Sequence, residues 1–90
     1  MTEREAEEHI KEIDNWTLFA ASIEKQFEFK DFDEAMQFVN AVAEIAETEG
    51  HHPDITVRYN KVTLELMTHA IGGLSMNDFI LAAKIDSISQ

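Results

Sequence analysis

Apolar residues recur at helical spacing through the middle of the chain. The stripe runs from Phe32 to about Glu49 and predicts one amphipathic helix. Asp31 stands where an N-cap is expected, and Glu34 three residues later is the predicted partner of a capping box. Gly50 supplies the left-handed residue that commonly ends a helix. This helix is the element that the pattern predicts most clearly.

Apolar and polar residues alternate with a period of two on both sides of this helix, which is typical of strands. The predicted strands cover residues 16–20, 23–29, 55–59 and 62–68. Only Ala21-Ser22 separates the first two strands, so we expect a hairpin there. Asn60-Lys61 is the expected turn of the second hairpin, because asparagine tolerates a positive φ.

The second hairpin predicts a specific pairing of residues. A turn at Asn60-Lys61 pairs Tyr59 with Val62, and the same ladder, if extended, places His52 opposite His69. Pro53 is expected to end regular pairing before that point. The two arms of a hairpin diverge little over one or two residues, so we expect the histidines to meet at its open end.

Two further helices complete the predicted fold. One covers residues 2–13, and the other begins after Ser75, with Asp78 three residues on, and runs to about Ser87. The last helix is apolar around most of its circumference, so we expect it to form an oligomer contact. The sequence therefore predicts one α+β domain over residues 1–90, with the order α-β-β-α-β-β-α. Its four-stranded antiparallel sheet is expected to have three helices packed on one face.

Composition limits the classes of partner. The chain has 18 acidic and 7 basic residues and a formal net charge of -11, which repels nucleic acids and anionic membranes. It has no cysteine and no apolar run near the roughly 20 residues of a membrane span, so we expect a cytoplasmic protein. A core built from 90 residues is small, which favours oligomerisation.

Three of the four histidines, His51, His52 and His69, lie within about a third of the chain. Histidine is the side chain whose unperturbed pKa lies between pH 5 and 8, so the cluster predicts proton transfer or metal binding. A three-histidine zinc site with Glu47 as an outer partner is the competing interpretation. Adjacent histidines on an extended segment point in different directions, which argues against that metal site.

Each candidate also has an ordinary structural explanation. Histidines that follow a helix C-terminus stabilise the helix dipole, and Asp78 is placed to cap the last helix. Glu47 on a helix face is usually a solvated charge. We expect His9 to be exposed and Trp16 to lie in the core.

The candidate residues also have a recognisable spacing. The series Glu47, His51-His52-Pro53, Tyr59, His69 and Asp78 resembles the signature of the pterin-4a-carbinolamine dehydratase family. The resemblance extends from Trp16 onward and includes Phe27-Glu28-Phe29, Asp31-Phe32, Glu34-Ala35, Gly72-Gly73-Leu74 and Ala82-Ala83. The first helix and the Ala21-Ser22 turn are short beside the family pattern.

The resemblance implies dehydration of 4a-hydroxytetrahydropterin to quinonoid dihydropterin, as in tetrahydrobiopterin recycling. Eliminating water changes no oxidation state, so the resemblance implies neither a cofactor nor a metal. The implied catalytic residues are His51 and His69, which transfer protons, and His52, which orients the pterin. The implied substrate-binding residues are Glu47, Pro53, Thr68 and Asp78.

The resemblance also implies a homotetramer, arranged as a dimer of dimers, that binds a small pterin. No nucleic acid or membrane partner is expected. The alternative is a non-catalytic dimerisation module for a protein partner, because animal relatives also bind a homeodomain transcription factor.

Overall fold

The computed structural model describes residues 1–89 and confirms the predicted α+β order. The helices are α1 (Glu3–Ile10), α2 (Phe32–Glu49) and α3 (Met76–Ile88), with a 3₁₀ turn at His69–Ile71. The strands are β1 (Thr17–Leu18), β2 (Ile23–Glu28), β3 (Asp54–Arg58) and β4 (Lys61–Leu66). They form one antiparallel sheet in the order β1-β2-β4-β3. None of the helices in residues 1–89 has the length and apolar character needed to cross a membrane.

The two faces of the sheet differ in polarity. Alternate residues of β2 and β4 are buried under the helices, and Phe27 and Leu66 are directly paired with Val62 and Ile23 respectively. Helices α1, α2 and α3 add apolar side chains such as Ala6, Val42 and Ile85 to the same core. Trp16 also lies in this core, as predicted.

The ends of α2 follow from local chemistry. The Asp31 carboxylate accepts a hydrogen bond from the Glu34 N–H at 2.9 Å, which confirms Asp31 as the N-cap. The Glu34 carboxylate accepts from the Lys30 N–H at 3.4 Å, so the reciprocal contact reaches one residue further back than predicted. Gly50 ends the helix in the left-handed conformation, with φ 64°. His51 therefore leaves α2 directly after its C-terminus.

The predicted register of the second hairpin is wrong by two residues. Arg58 pairs with Lys61, and the two-residue turn is Tyr59-Asn60. The reason is a contact with Phe29, the residue that follows β2. The Phe29 N–H donates to the Asn60 carbonyl at 2.8 Å, and Asn60 Nδ2 donates to the Phe29 carbonyl at 2.8 Å. Asn60 is therefore bonded to Phe29, and Tyr59 adopts the positive φ of 53° in the turn.

This register changes the expected pairing of the histidines. The β3–β4 ladder ends at the pair Asp54–Glu65, so its extension would bring His52 opposite Met67 rather than His69. Strand β4 ends at Leu66, and His69 lies in the 3₁₀ turn that follows rather than on the strand. The contacts of the histidines therefore do not follow from this ladder and are described below.

The N-terminal elements are shorter than predicted. Helix α1 ends at Ile10, β1 has two residues, and the Phe19 N–H donates to the Ser22 carbonyl across the β1–β2 loop at 2.8 Å. At the start of α1 the Thr2 N–H donates to the Glu5 carboxylate, which lowers the pKa of that carboxyl. His9 was expected to be exposed, but it is half-buried because its ring packs on Phe79 at 5.5 Å.

A polar cluster fastens the end of α3 to the rest of the fold. The Asp86 carboxylate accepts from Lys25 Nζ at 2.9 Å and from Trp16 Nε1 at 3.1 Å. Lys25 also donates to the Asp14 carbonyl at 2.7 Å. The Lys25 and Asp86 side chains are each only 13% exposed. We call these residues the Asp86 clamp.

Candidate active site

Asp78, in the first turn of α3, is the buried centre of the candidate site. Its side chain is fully buried, and an ionised carboxylate in that position needs several hydrogen bonds. Oδ2 accepts from the Thr68 hydroxyl at 2.9 Å and from the Ser75 N–H at 3.0 Å. The Ser75 hydroxyl lies 2.7 Å from Thr68 Oγ1 and can donate to it. Two hydrogen bonds therefore hold one oxygen and leave Oδ1 for a further partner.

That partner is His51. Its Nε2 lies 2.5 Å from Asp78 Oδ1, and the two residues are 27 positions apart in the chain. An ionised carboxylate only accepts hydrogen bonds, so Nε2 carries the proton in this contact. A neutral imidazole held in this way keeps the lone pair on Nδ1, where it can accept a second proton. The arrangement is therefore that of an oriented base whose positive charge, once formed, is balanced by Asp78.

His69 is placed by a short closed loop between β4 and α3. Thr68 pairs with Gly73 through two backbone hydrogen bonds, of 2.8 and 3.4 Å. The 3₁₀ turn lies inside this loop and ends at Gly72 in the left-handed conformation, with φ 62°. His69 is exposed on the loop, directly after the residue whose hydroxyl binds Asp78. The loop therefore fixes the backbone of His69 and leaves its imidazole accessible.

His52 and Glu47 form a second imidazole–carboxylate contact at the end of α2. His52 Nε2 lies 2.7 Å from Glu47 Oε2, and the two side chains are 61% and 77% exposed. An exposed ion pair of this kind adds little to the stability of the fold. It orients His52 and leaves the ring open to a ligand.

The structure joins His51 and Thr68 through Asp78 rather than through the hairpin ladder. His51 and Thr68 both bind its carboxylate, and His52 and His69 are their neighbours in the chain. Pro53 is half-buried between His52 and β3. Asp78 serves in both of the roles considered from the sequence, since Oδ2 caps α3 and Oδ1 holds His51.

One part of the site was missed. Ser75 was assigned only as an N-cap, although its N–H and hydroxyl complete the hydrogen bonds around Thr68 and Asp78. Its spacing three residues before Asp78 was the available signal. The hydroxyl of Thr68, a predicted substrate-binding residue, donates to Asp78.

Metal binding is the competing interpretation of the histidine cluster. Within residues 1–89, no three histidine, aspartate or glutamate side chains converge as metal ligands. His51 and His52 instead turn to different carboxylates, Asp78 and Glu47. The zinc interpretation therefore has no ligand set in the described part of the chain.

The sequence of this chain is similar to those of proteins assigned to a known family. The pattern of the family described as pterin 4 alpha carbinolamine dehydratase matches residues 1–88. A relative from Nitrosospira multiformis, provisionally named as such a dehydratase, is 51% identical over 90 residues, covering all of this chain and 80% of its own length. A relative from Acidobacterium capsulatum with the same provisional name is 51% identical over 88 residues, covering 98% of this chain and 96% of its own.

Solved structures agree with these matches. A crystal structure from Brucella melitensis, described as a transcriptional coactivator/pterin dehydratase, superimposes with a TM-score of 0.95 at 34% identity. It covers all of this chain and 98% of its own. A pterin dehydratase-like protein identified as a RuBisCO assembly factor shares the fold, with a TM-score of 0.69 at 21% identity over 83% of this chain and 87% of its own. The chain belongs to the pterin-4a-carbinolamine dehydratase family.

Proposed function

We propose that the protein is a cytoplasmic hydro-lyase that converts 4a-hydroxytetrahydropterin to quinonoid dihydropterin and water, as in tetrahydrobiopterin recycling. The observation that supports this most directly is the contact between buried Asp78 and His51, which prepares an imidazole for proton transfer. The family match over residues 1–88 supplies the substrate class.

The proposed reaction needs two proton transfers and no electron transfer. The bond between C4a and the hydroxyl oxygen breaks as that oxygen receives a proton and leaves as water. The proton on N5 departs, and its electron pair forms the C4a–N5 double bond. Positioned imidazoles suit both transfers near pH 7 and typically contribute about 10² to 10⁴ in rate.

The proposal gives His51 and His69 the two proton transfers and His52 the orientation of the pterin. Asp78 positions His51, and Glu47 positions His52 at the distances described above. We assign the acid and base roles to His51 and His69 jointly. In this proposal, Pro53 and Thr68 lie at the edge of the region in which the pterin binds.

The test is the rate of quinonoid dihydropterin formation from freshly generated 4a-hydroxytetrahydropterin. We expect the wild type to exceed the spontaneous rate and His69→Ala to lose about 10²-fold or more of that acceleration. His9→Ala is the matched control, because it removes an imidazole that contacts Glu12 and Phe79 and takes no part in the proposed proton transfers. A folded wild type with no acceleration would contradict the proposal.

A binding role without catalysis is the second candidate. The Brucella melitensis structure carries the description of a transcriptional coactivator as well as a dehydratase. The net charge of -11 disfavours direct contact with DNA, so such a role would use a protein partner. The rate measurement separates the two candidates, since a binding module leaves the spontaneous rate unchanged.

We further propose that the chain assembles as a homotetramer. Helix α3 exposes Met76, Ile80 and Ile88 by 46%, 42% and 38%, which is a large apolar surface for so small a domain. Light scattering at micromolar concentration is expected to give about 41 kDa, four times the 10.3 kDa of one chain. A monomeric mass at that concentration would exclude the assembly.

A further inference from the structure

Thr68 makes two sets of hydrogen bonds, one through its backbone and one through its side chain. The backbone set closes the loop that carries His69: the Thr68 N–H donates to the Gly73 carbonyl at 2.8 Å, and its carbonyl accepts from the Gly73 N–H at 3.4 Å. The side-chain bond is the one to Asp78, at 2.9 Å. Thr68 is therefore the residue at which the loop of His69 meets the carboxylate that binds His51.

The direction of each hydroxyl proton around Asp78 follows from elementary chemistry. An ionised carboxylate only accepts hydrogen bonds, so Thr68 donates its single hydroxyl proton to Asp78. The Ser75 hydroxyl, whose oxygen lies 2.7 Å from Thr68 Oγ1, is then the donor in that contact. Both hydroxyl protons are consequently directed towards Asp78, and Thr68 has none left to donate to a ligand.

The Asp78 carboxylate depends on these donors because its side chain is fully buried and cannot turn to solvent for replacements. Its Oδ2 accepts from the Thr68 hydroxyl and the Ser75 N–H, and its Oδ1 faces His51 Nε2. Without the Thr68 hydroxyl, Oδ2 keeps one donor, and the carboxylate has to rotate to recover a second. Such a rotation moves Oδ1, the atom that holds His51.

We propose that Thr68 is a positioning residue for both proton-transfer imidazoles, and that Ser75 acts through it. The inference rests on the proposed function for the roles of His51 and His69. The hydroxyl of Thr68 fixes the Asp78 carboxylate and, through it, the ring of His51. The backbone of Thr68 closes the loop that holds His69. One residue therefore sets the two imidazoles relative to each other, and proton transfer is sensitive to such placement.

Thr68→Val tests the proposal because valine has nearly the shape of threonine and lacks the hydroxyl. We expect kcat for 4a-hydroxytetrahydropterin to fall about tenfold or more with KM within about twofold of wild type, as is typical when the outer partner of a functional group is removed. Thr68→Ser keeps the hydroxyl and is expected to recover most of the lost rate. A raised KM with an unchanged kcat would instead make Thr68 a substrate-binding residue and overturn the proposal.

Thr63→Val is the matched control, because it makes the same chemical change within β4. Thr63 lies between Val62 and Leu64, which are buried under the helices, so its side chain is on the opposite face of the sheet. We expect its kcat and KM to equal those of the wild type. Circular dichroism of both valine variants checks that the fold is retained. An equal loss of kcat in the two folded variants would overturn the specific role of Thr68.

Ser75→Ala tests whether Ser75 acts through Thr68. We expect a smaller loss of turnover per folded protomer than in Thr68→Val, because the Thr68 hydroxyl still donates to Asp78. In the double variant, Thr68→Val with Ser75→Ala, the rate should stay within about twofold of Thr68→Val alone, since groups that act in series are not additive. Losses that multiply in the double variant would show that Ser75 acts by another route and overturn its part in the proposal.

A measurement without substrate separates this inference from the proposed function. The proton on His51 Nε2 lies between a side chain that is 16% exposed and a fully buried carboxylate, so we expect it to exchange slowly with water and to give its own proton NMR resonance. Asp78→Asn identifies this resonance by its loss. We expect the resonance to shift or broaden in Thr68→Val and to return to its wild-type position in Thr68→Ser.

An unchanged His51 resonance in folded Thr68→Val would overturn the positioning role, whether or not the wild type is active. A wild type that shows the expected NMR changes but no turnover would fail the proposed function. It would still leave Thr68 as the residue that positions the His51 imidazole. The two failures are therefore distinguishable.

Discussion

Asp78→Asn is expected to lower the turnover of 4a-hydroxytetrahydropterin about 10²-fold or more while the fold is retained. The asparagine carbonyl can still accept from Thr68 and the Ser75 N–H, so the helix cap survives. Its amide nitrogen, however, faces His51 Nε2, and two donors cannot bond. His51 must then move its proton to Nδ1, which removes the lone pair that accepts a proton from substrate.

The matched control is Asp86→Asn, the same chemical change on the same helix at the opposite end from the site. Turnover per folded protomer should be unchanged in that variant. The free energy of unfolding of Asp78→Asn is expected to fall by only about 1 kcal/mol. Turnover within about threefold of wild type would show that Asp78 is solely a helix cap.

Asp86→Ala is expected to cause a large loss of stability. It removes the carboxylate of the Asp86 clamp and leaves the ammonium of Lys25, which is 13% exposed, without an ion partner. The indole N–H of Trp16 loses its acceptor as well. We expect a loss of about 2 to 4 kcal/mol, or roughly 10 to 20 °C in melting temperature for a domain of this size.

Thermal unfolding at fixed protomer concentration measures this effect, because association also contributes to stability. Trp16 is the only tryptophan, so its emission reports the loss of the clamp directly. Lys84→Ala is the control on the same helix, since it removes the more exposed ion pair with Glu49 and should cost less than about 1 kcal/mol. Equal melting temperatures for the two variants would contradict the importance of the clamp.

The parts of the fold predicted correctly depend on local chemistry. Asp31 and Gly50 mark both ends of α2 because a cap and a left-handed residue act within one helical turn. The alternation in β2 and β4 reports burial under the helices directly. These signals involve residues that are close in the sequence, so the features can be predicted without a structure.

The errors arise from contacts between distant residues. The hairpin register depends on Asn60 bonding with Phe29, 31 positions away. The Asp86 clamp joins residues 61 and 70 positions apart, and no local pattern marks it. His9 was predicted to be exposed because it lies in an acidic helix, but the distant residue Phe79 packs against its ring.

For the candidate site, spacing selected the residues but did not predict their contacts. His51, His52, His69 and Asp78 were all selected from the sequence, and the ladder that was expected to bring them together does not do so. The contact between Asp78 and His51 requires α3 to begin beside the end of α2. That placement depends on packing of the whole core, which periodicity alone does not specify.

The double use of Asp78 affects how relatives of this chain should be compared. A carboxylate that caps α3 and binds Thr68 is kept by selection for folding, whether or not any pterin is turned over. A descendant that has drifted to a purely scaffolding role can therefore keep Asp78 unchanged. His69 is exposed and has less influence on folding, so its loss is the better sign that catalysis has been abandoned.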